Sequence, residues 1–291
     1  MTDLATIPTP KLGFGNVIKG TFGVIRRNFV TFLTLIVGLF VLPLVPVIIG
    51  VMEMVAKHYV SGGVLLAVGV LAIMVASCVL QAGLIHATVA DLNGRKANAG
   101  DCISTGLKNF LPMMGIITLA ILAVVGSFAV LLIPLALLGK SGPGPMIFLF
   151  VIGLIALYVA WIMVGLAWSL IFPAQVVEHT GVLGAFTRSG KLTKHNRWRI
   201  FGLLILWTIV SSVVQGVLSN LVGAGWTGPT VAPGASPMAA LSAFTRAYWV
   251  IVGLMSIVSS MVGSAGIANI YYELRRVKEG VGPEALASVF D

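Results

Sequence analysis

Side chains that could do chemistry are few and scattered in this sequence of 291 residues. Glu178 stands beside His179, while Gln81, His86, Asp91 and Asn220 fall in or at the ends of apolar stretches. A carboxylate next to an imidazole can relay a proton, and paired carboxylates can divide acid and base roles. The nine acids form no such pair near a candidate site, however, and Glu178–His179 is an adjacency without a surrounding motif. The zinc helix H-E-x-x-H, the phosphate loop G-x-x-x-x-G-K-[ST] and the nucleophile elbow G-x-S-x-G are all missing. The four histidines, at 58, 86, 179 and 195, are dispersed. Cys78 and Cys102 read as free thiols and not as a disulfide framework. The expectation is a protein that is not an enzyme and needs neither metal nor cofactor.

Binding chemistry is better represented. The stretch "KLTKHNRWRIFG" at 191–202 concentrates Lys191, Lys194, His195, Arg197 and Arg199 directly ahead of an apolar run, with Glu178 and Arg188 upstream. Such a cluster suits anionic lipid headgroups, each base near an anionic leaflet adding roughly 1 kcal/mol. The same bases also serve topology alone. Glu178 either pairs with Arg188 or a nearby lysine, or helps the bases shape a headgroup pocket. The net charge of +9 does not point to nucleic acid, because the bases sit at segment ends and not on a soluble face. Among intramembrane polar residues, Gln81 is expected to bond a neighbouring helix, as is Asn220, and His86 to lie at the interface. A small-molecule transporter or channel is the alternative. It predicts a polar cavity near the midplane bordered by Gln81, Asn220 and the serines of the last apolar segment.

The elements that must position these groups follow from composition. With 58% hydrophobic and 9% charged residues, the polar surface of a soluble fold cannot be covered. The apolar stretches lack strict alternation, so an all-α polytopic membrane domain is expected. Six segments, near 30–52, 62–86, 112–138, 146–172, 200–222 and 247–270, are long enough to span hydrocarbon. The first reads as a span and not as a removable signal peptide. Fifteen of the 18 bases fall before the first segment, in alternate connections and after the last; Lys57, Lys140 and Arg246 fall on the other side. That bias places both termini in the cytoplasm, with residues 273–291 as a short tail.

"IRRNFVTFLTL", "GLKNFLPMMGI" and "TKHNRWRIFGL" superpose on Asn28, Asn109 and Asn196. This points to three repeats starting near 13, 98 and 180, each an amphipathic interfacial helix followed by a two-span hairpin. In the first lead-in Phe14, Val17, Ile18, Phe22, Ile25 and Phe29 form an apolar stripe. Ile103, Leu107 and Phe110 do so in the second, and Leu183, Phe186 and Leu192 in the third. These faces are expected to lie on lipid. Asn98 should cap the second lead-in, with Asp101 at its positive end, and Thr180 the third. Pro43 and Pro46 should kink the outer end of the first span.

Small residues in the last two segments (Ser212, Gly216 and Asn220; Ser256, Ser260 and Ser264; Ser259 and Gly263) are expected to pack helices, within the bundle or between copies. The uncharged connection at 221–246 reads either as a loop or as a segment folded back on the bundle. Pro283 and Glu284 begin an expected terminal helix.

"LQAGLIHATVADLNGRKANAGDCISTGLKNF", "PAQVVEHTGVLGAFTRSGKLTKHNRWRIFG" and "IYYELRRVKEG" carry a resemblance to a known family. The sequence resembles the membrane domain associated with glycerophosphoryl diester phosphodiesterases, a group of bacterial polytopic proteins. The resemblance implies a helical inner-membrane protein connected with glycerophosphodiester metabolism. Hydrolysis in such fusions belongs to a separate metal-using barrel with no counterpart in these residues, so no catalytic residue carries over. The resulting expectation is a non-catalytic bacterial inner-membrane protein engaging anionic lipids in envelope lipid homeostasis or transport. It can also serve as an accessory subunit, with a homo-oligomer or a membrane-complex partner.

Overall fold

The computed structural model describes residues 13–137, 143–221 and 247–280. They form helices and short turns, with no strand among the described residues. In chain order these are α1 (Phe14–Val55), α2 (Tyr59–Leu92), α3 (Ala99–Leu137), α4 (Pro143–Trp168), α5 (Ile171–Glu178), α6 (Gly181–Thr193), α7 (Arg197–Leu221) and α8 (Ala247–Glu279). Among the described residues five stretches are long and apolar enough to cross a membrane: Phe14–Val55, Tyr59–Leu92, Ala99–Val130, Phe150–Glu178 and Arg197–Val217. In α8 the charged residues are confined to the C-terminal turns, from Glu273 on. The connection at 222–246, Pro283 and Glu284 lie outside the described residues, as does the side chain of Asn220.

Only one lead-in is a separate helix. The first is continuous with its span in α1 and is set off by a break at Asn28 (φ −114°, ψ 19°). Helical geometry runs through Pro43 and Pro46, so the departure from helix in α1 is not where the prolines predict it. The second is fused into α3 without interruption. The third, α6, is closed off by the turn at 194–196, where His195 adopts φ 69°.

The apolar stripes of the lead-ins turn outward in most positions, as a lipid-facing side would, with Val17 and Leu192 as exceptions. In α1 the residues turned inward are Val17, Thr21, Val24 and Asn28, while Phe22 is 56% and Phe29 49% exposed. In α3 Cys102, Gly106, Asn109 and Met113 face inward, and Leu107 is 59% exposed. In α6 Ala185, Ser189, Leu192 and Thr193 are buried while Leu183 points out, so Leu183 and Leu192 do not share an environment. Much of each bulky stripe thus faces away from the bundle, and small or polar residues join Val17, Val24, Met113 and Leu192 in making the contacts. Lipid is as apolar as a protein core, so close backbone approach selects the inner face, and hydrophobicity does not.

Close approach brings both α1 and α3 against α2. A Cβ on Gly62 would lie 2.8 Å from the Met54 backbone nitrogen and 2.9 Å from the Gly50 carbonyl oxygen, and one on Gly106 2.5 Å from the Val79 carbonyl oxygen. Of the small residues expected to pack the last two segments, Ser264 is buried, while among the described residues nothing lies within 4 Å of where a Cβ on Gly216 or Gly263 would stand.

The fourth apolar segment is broken at Ser169–Leu170, between α4 and α5. Pro173, one turn on, has no N–H to give the Ser169 carbonyl, and its ring would crowd that carbonyl in a straight helix. Ser189 of α6, fully buried, closes the gap. Its hydroxyl accepts the Leu170 N–H at 3.1 Å and donates to the Ala167 carbonyl at 2.6 Å. Backbone groups freed at membrane depth are thus satisfied from a neighbouring helix, as hydrocarbon requires.

Candidate functional site

Charge gathers where α5, α6 and α8 meet. Glu178 ends α5, Arg188 sits midway along α6, and Tyr271, Arg275, Lys278 and Glu279 follow one another on the last turns of α8. The Arg188 guanidinium donates to both Glu178 oxygens, Nε to Oε2 at 2.7 Å and Nη2 to Oε1 at 2.8 Å. Its Nη1 lies 2.6 Å from Glu279 Oε1. Arg275 Nε donates to Glu279 Oε2 at 3.2 Å and lies 3.6 Å from Glu178 Oε1. The Tyr271 hydroxyl donates to Glu178 Oε1 at 2.5 Å. Two carboxylates thus balance two guanidiniums, each side chain about a quarter exposed or less. Such bidentate, charge-assisted bonds fix geometry as well as charge. The Glu279 carboxyl is held below the usual range, chiefly by its bond from Arg188. Both carboxylates raise the Arg188 pKa further, so it stays cationic.

Lys278 does a different task. Its ammonium donates to the carbonyls of Lys191 at 3.0 Å and Lys194 at 2.8 Å, at the C-terminal end of α6. Orphan carbonyls and the negative end of the helix dipole both favour a cation there.

A simpler pair joins α1 to α2. Arg27 Nη2 lies 2.5 Å from Asp91 Oδ2, and Asn28 Nδ2 donates to Asp91 Oδ1 at 2.8 Å. Between α3 and α5, Gln175 Nε2 donates to Asn109 Oδ1 at 3.3 Å with both residues buried. Asn196, the third residue of the set, is buried as well. Left-handed glycines follow each acid closely: Gly94 (φ 74°) after Asp91, Gly181 (φ 75°) after Glu178 and Gly280 (φ 66°) after Glu279. A positive φ is cheapest for a residue without Cβ; Gly94 and Gly280 follow helix ends, whereas Gly181 opens α6 after left-handed His179 (φ 51°) has ended α5.

These pairs decide which predicted binding residues remain available. Glu178 and Arg188 are committed to each other, so the pairing holds and neither is a free headgroup anchor. Lys191, Lys194 and His195 are exposed, and Arg197 is half-buried with its Nε unbonded. Arg199 is half-buried and makes its own protein contacts. Lys19, Arg26, Arg95, Lys96 and Lys108 join them at the same end, exposed and without a carboxylate partner among the described residues. Trp198, 75% exposed, stands among them. Asn98 caps α3 as expected, accepting the Asp101 N–H at 2.8 Å. Thr180 instead takes helical dihedrals, caps nothing through its side chain, and leaves its hydroxyl buried and unbonded.

The polar residues of the apolar segments are separated. His86 is half-buried in the C-terminal part of α2. Gln81 bonds no neighbouring helix among the described residues; it lines a cavity of about 300 Å³ between α1, α2 and α8. Ser259, Ser260 and Ser264 share that lining, as the transporter alternative anticipated. Sequence reasoning missed Tyr271, Glu279 and Lys278 as partners of the α5–α6 corner. The one available signal was the alternation of acids and bases in "YYELRRVKEG", which fixes no long-range pairing.

Comparison with known proteins gives a family without a function. A family described as a domain of unknown function (DUF7847) matches residues 15–274, and the chain belongs to it. No curated protein and no solved structure matches.

Proposed function

We propose that this member of that family is a non-catalytic protein of the bacterial inner membrane whose basic inner end binds anionic lipid headgroups, in envelope lipid homeostasis or transport. It crosses six times as three hairpins, each led by an interfacial segment, with both termini cytoplasmic. One observation carries the reading. At this end Asp91, Glu178 and Glu279 are held by Arg27, Arg188 and Arg275, and against the two remaining described acids, Asp101 and Glu273, stand seven exposed bases outside any ion pair: Lys19, Arg26, Arg95, Lys96, Lys108, Lys191 and Lys194. Beside them stand outward-facing Phe22, Leu107, Leu183 and Trp198, the side chains that suit headgroup depth. The three buried asparagines and the three left-handed glycines support the repeat, and the kinship with phosphodiesterase-linked membrane domains supplies the lipid theme.

The test uses purified full-length protein, stripped of lipid and offered mixed micelles of phosphatidylglycerol and phosphatidylcholine. Wild type should retain phosphatidylglycerol selectively and lose it in high salt. The quadruple variant Arg95→Gln, Lys96→Gln, Lys191→Gln, Lys194→Gln spares every internal ion pair. It should retain several-fold less, since each base contributes roughly 1 kcal/mol. Equal retention by both proteins, with residue 57 still labelled from outside and residue 95 from inside, would remove the proposal.

A further inference from the structure

The cavity between α1, α2 and α8 is lined by Phe40, Ser77, Gln81, Ser259, Ser260 and Ser264, and among the described residues no charged side chain borders it. Its depth follows from the ionic pairs. Phe40 lies 13 residues past Arg27, Gln81 ten before Asp91, and Ser264 eleven before Arg275. At 1.5 Å per residue these positions are about 15–20 Å from the charged layer, inside the hydrocarbon. Ser77 returns its hydroxyl to the Ile73 carbonyl at 2.8 Å, the usual arrangement for a membrane serine. Its neighbours do not. Among the described residues the Gln81 amide and the hydroxyls of Ser259, Ser260 and Ser264 have no hydrogen-bond partner, and Ser264 is only 8% exposed. Unbonded polar groups are unfavourable in hydrocarbon, and here several converge on one space.

We infer that this cavity is a binding site for a neutral, lipid-soluble molecule carrying a hydroxyl or carbonyl group. An ion or charged headgroup would find no counter-charge. A pure hydrocarbon would leave the amide and three hydroxyls unbonded. A hydroxyl or ester carbonyl meets donors and acceptors together, while Phe40, Leu80, Leu84 and Ile267 offer apolar walls for the attached chain. The volume sits at the small end of the range for small-molecule sites, which suits the polar head of such a molecule and not its whole body. This site is independent of the basic end and of its lipids.

The experiment reconstitutes the full-length protein in phosphatidylcholine vesicles. The probe is a long-chain alcohol with a diazirine beside the hydroxyl, compared with a diazirine alkane of equal length. After irradiation the alcohol should label peptides containing residues 77–81 and 259–264, and unlabelled diacylglycerol should compete. Gln81→Leu and Ser264→Ala should each reduce labelling roughly fivefold, the effect of one lost neutral hydrogen bond. Ser212→Ala, at an exposed position on α7, should not. If Gln81→Leu fails to fold, the small Ser264→Ala change decides alone. Labelling by the alkane to the same extent, absence of labelling by either probe (a cavity holding only water), or labelling unchanged in Ser264→Ala would each overturn the inference.

Discussion

The corner between α1 and α2 and the corner between α5, α6 and α8 use the same chemistry, an arginine held by an acid at the C-terminal end of another helix. They differ in enclosure. Arg27 is 57% exposed and answers to one carboxylate. Arg188 is 24% exposed and answers to two, with Tyr271 and Arg275 completing the set. Asp91 is only 9% exposed, but its cationic partner is solvated and Asn28 also bonds it, so the ion pair itself adds little. An enclosed arginine bridging two carboxylates cannot be removed without leaving both uncompensated. The first corner marks a position, and the second ties three helices together.

Substitutions can break this contrast. Arg188→Ala should have the largest effect, destabilising the protein by about 3 kcal/mol, at the lower end for a broken enclosed pair because the site is partly wet. Thermal unfolding in detergent reads it. Ser189→Ala removes two buried backbone bonds beside that corner and should lose about 2 kcal/mol. Arg27→Ala should change stability by under about 1 kcal/mol, with Asp91 still bonded to Asn28. A loss at Arg27 equal to that at Arg188 would erase the distinction.

Acid sharpens it further. The folded pKa of Glu279 lies below its unfolded value, so its contribution is fully present above the unfolded value, about 4.3, and fades as pH falls through the folded one. Melting temperature should therefore drop below about pH 4, and this drop should shrink in Glu279→Gln.

Much of this was legible in the sequence. Helix positions followed from apolar length, the Asn98 cap from its spacing to Asp101, and the Glu178–Arg188 pair from opposite charges on adjoining elements. Gln81 and the serines of the last segment were rightly grouped around a cavity. The lead-in stripes read as turned toward lipid, and Phe22, Leu107 and Leu183 do point out of the bundle. That Val17 and Leu192 of the same stripes turn inward was not legible, because it depends on which helix packs beside them. The break at 169–170 had a visible signal in Pro173, but the serine that repairs it lies nineteen residues from Leu170, on another helix. Pairings of that kind depend on tertiary arrangement, which periodicity does not encode.

The repair by Ser189 has a consequence for biosynthesis. The interrupted rod emerges from the ribosome before the residue that completes its hydrogen bonding, so α4 and α5 enter the bilayer with an N–H and a carbonyl still seeking partners. A chain halted between 180 and 188 should stay more susceptible to protease near 170 than one halted after 193, because only the longer chain brings the missing hydroxyl.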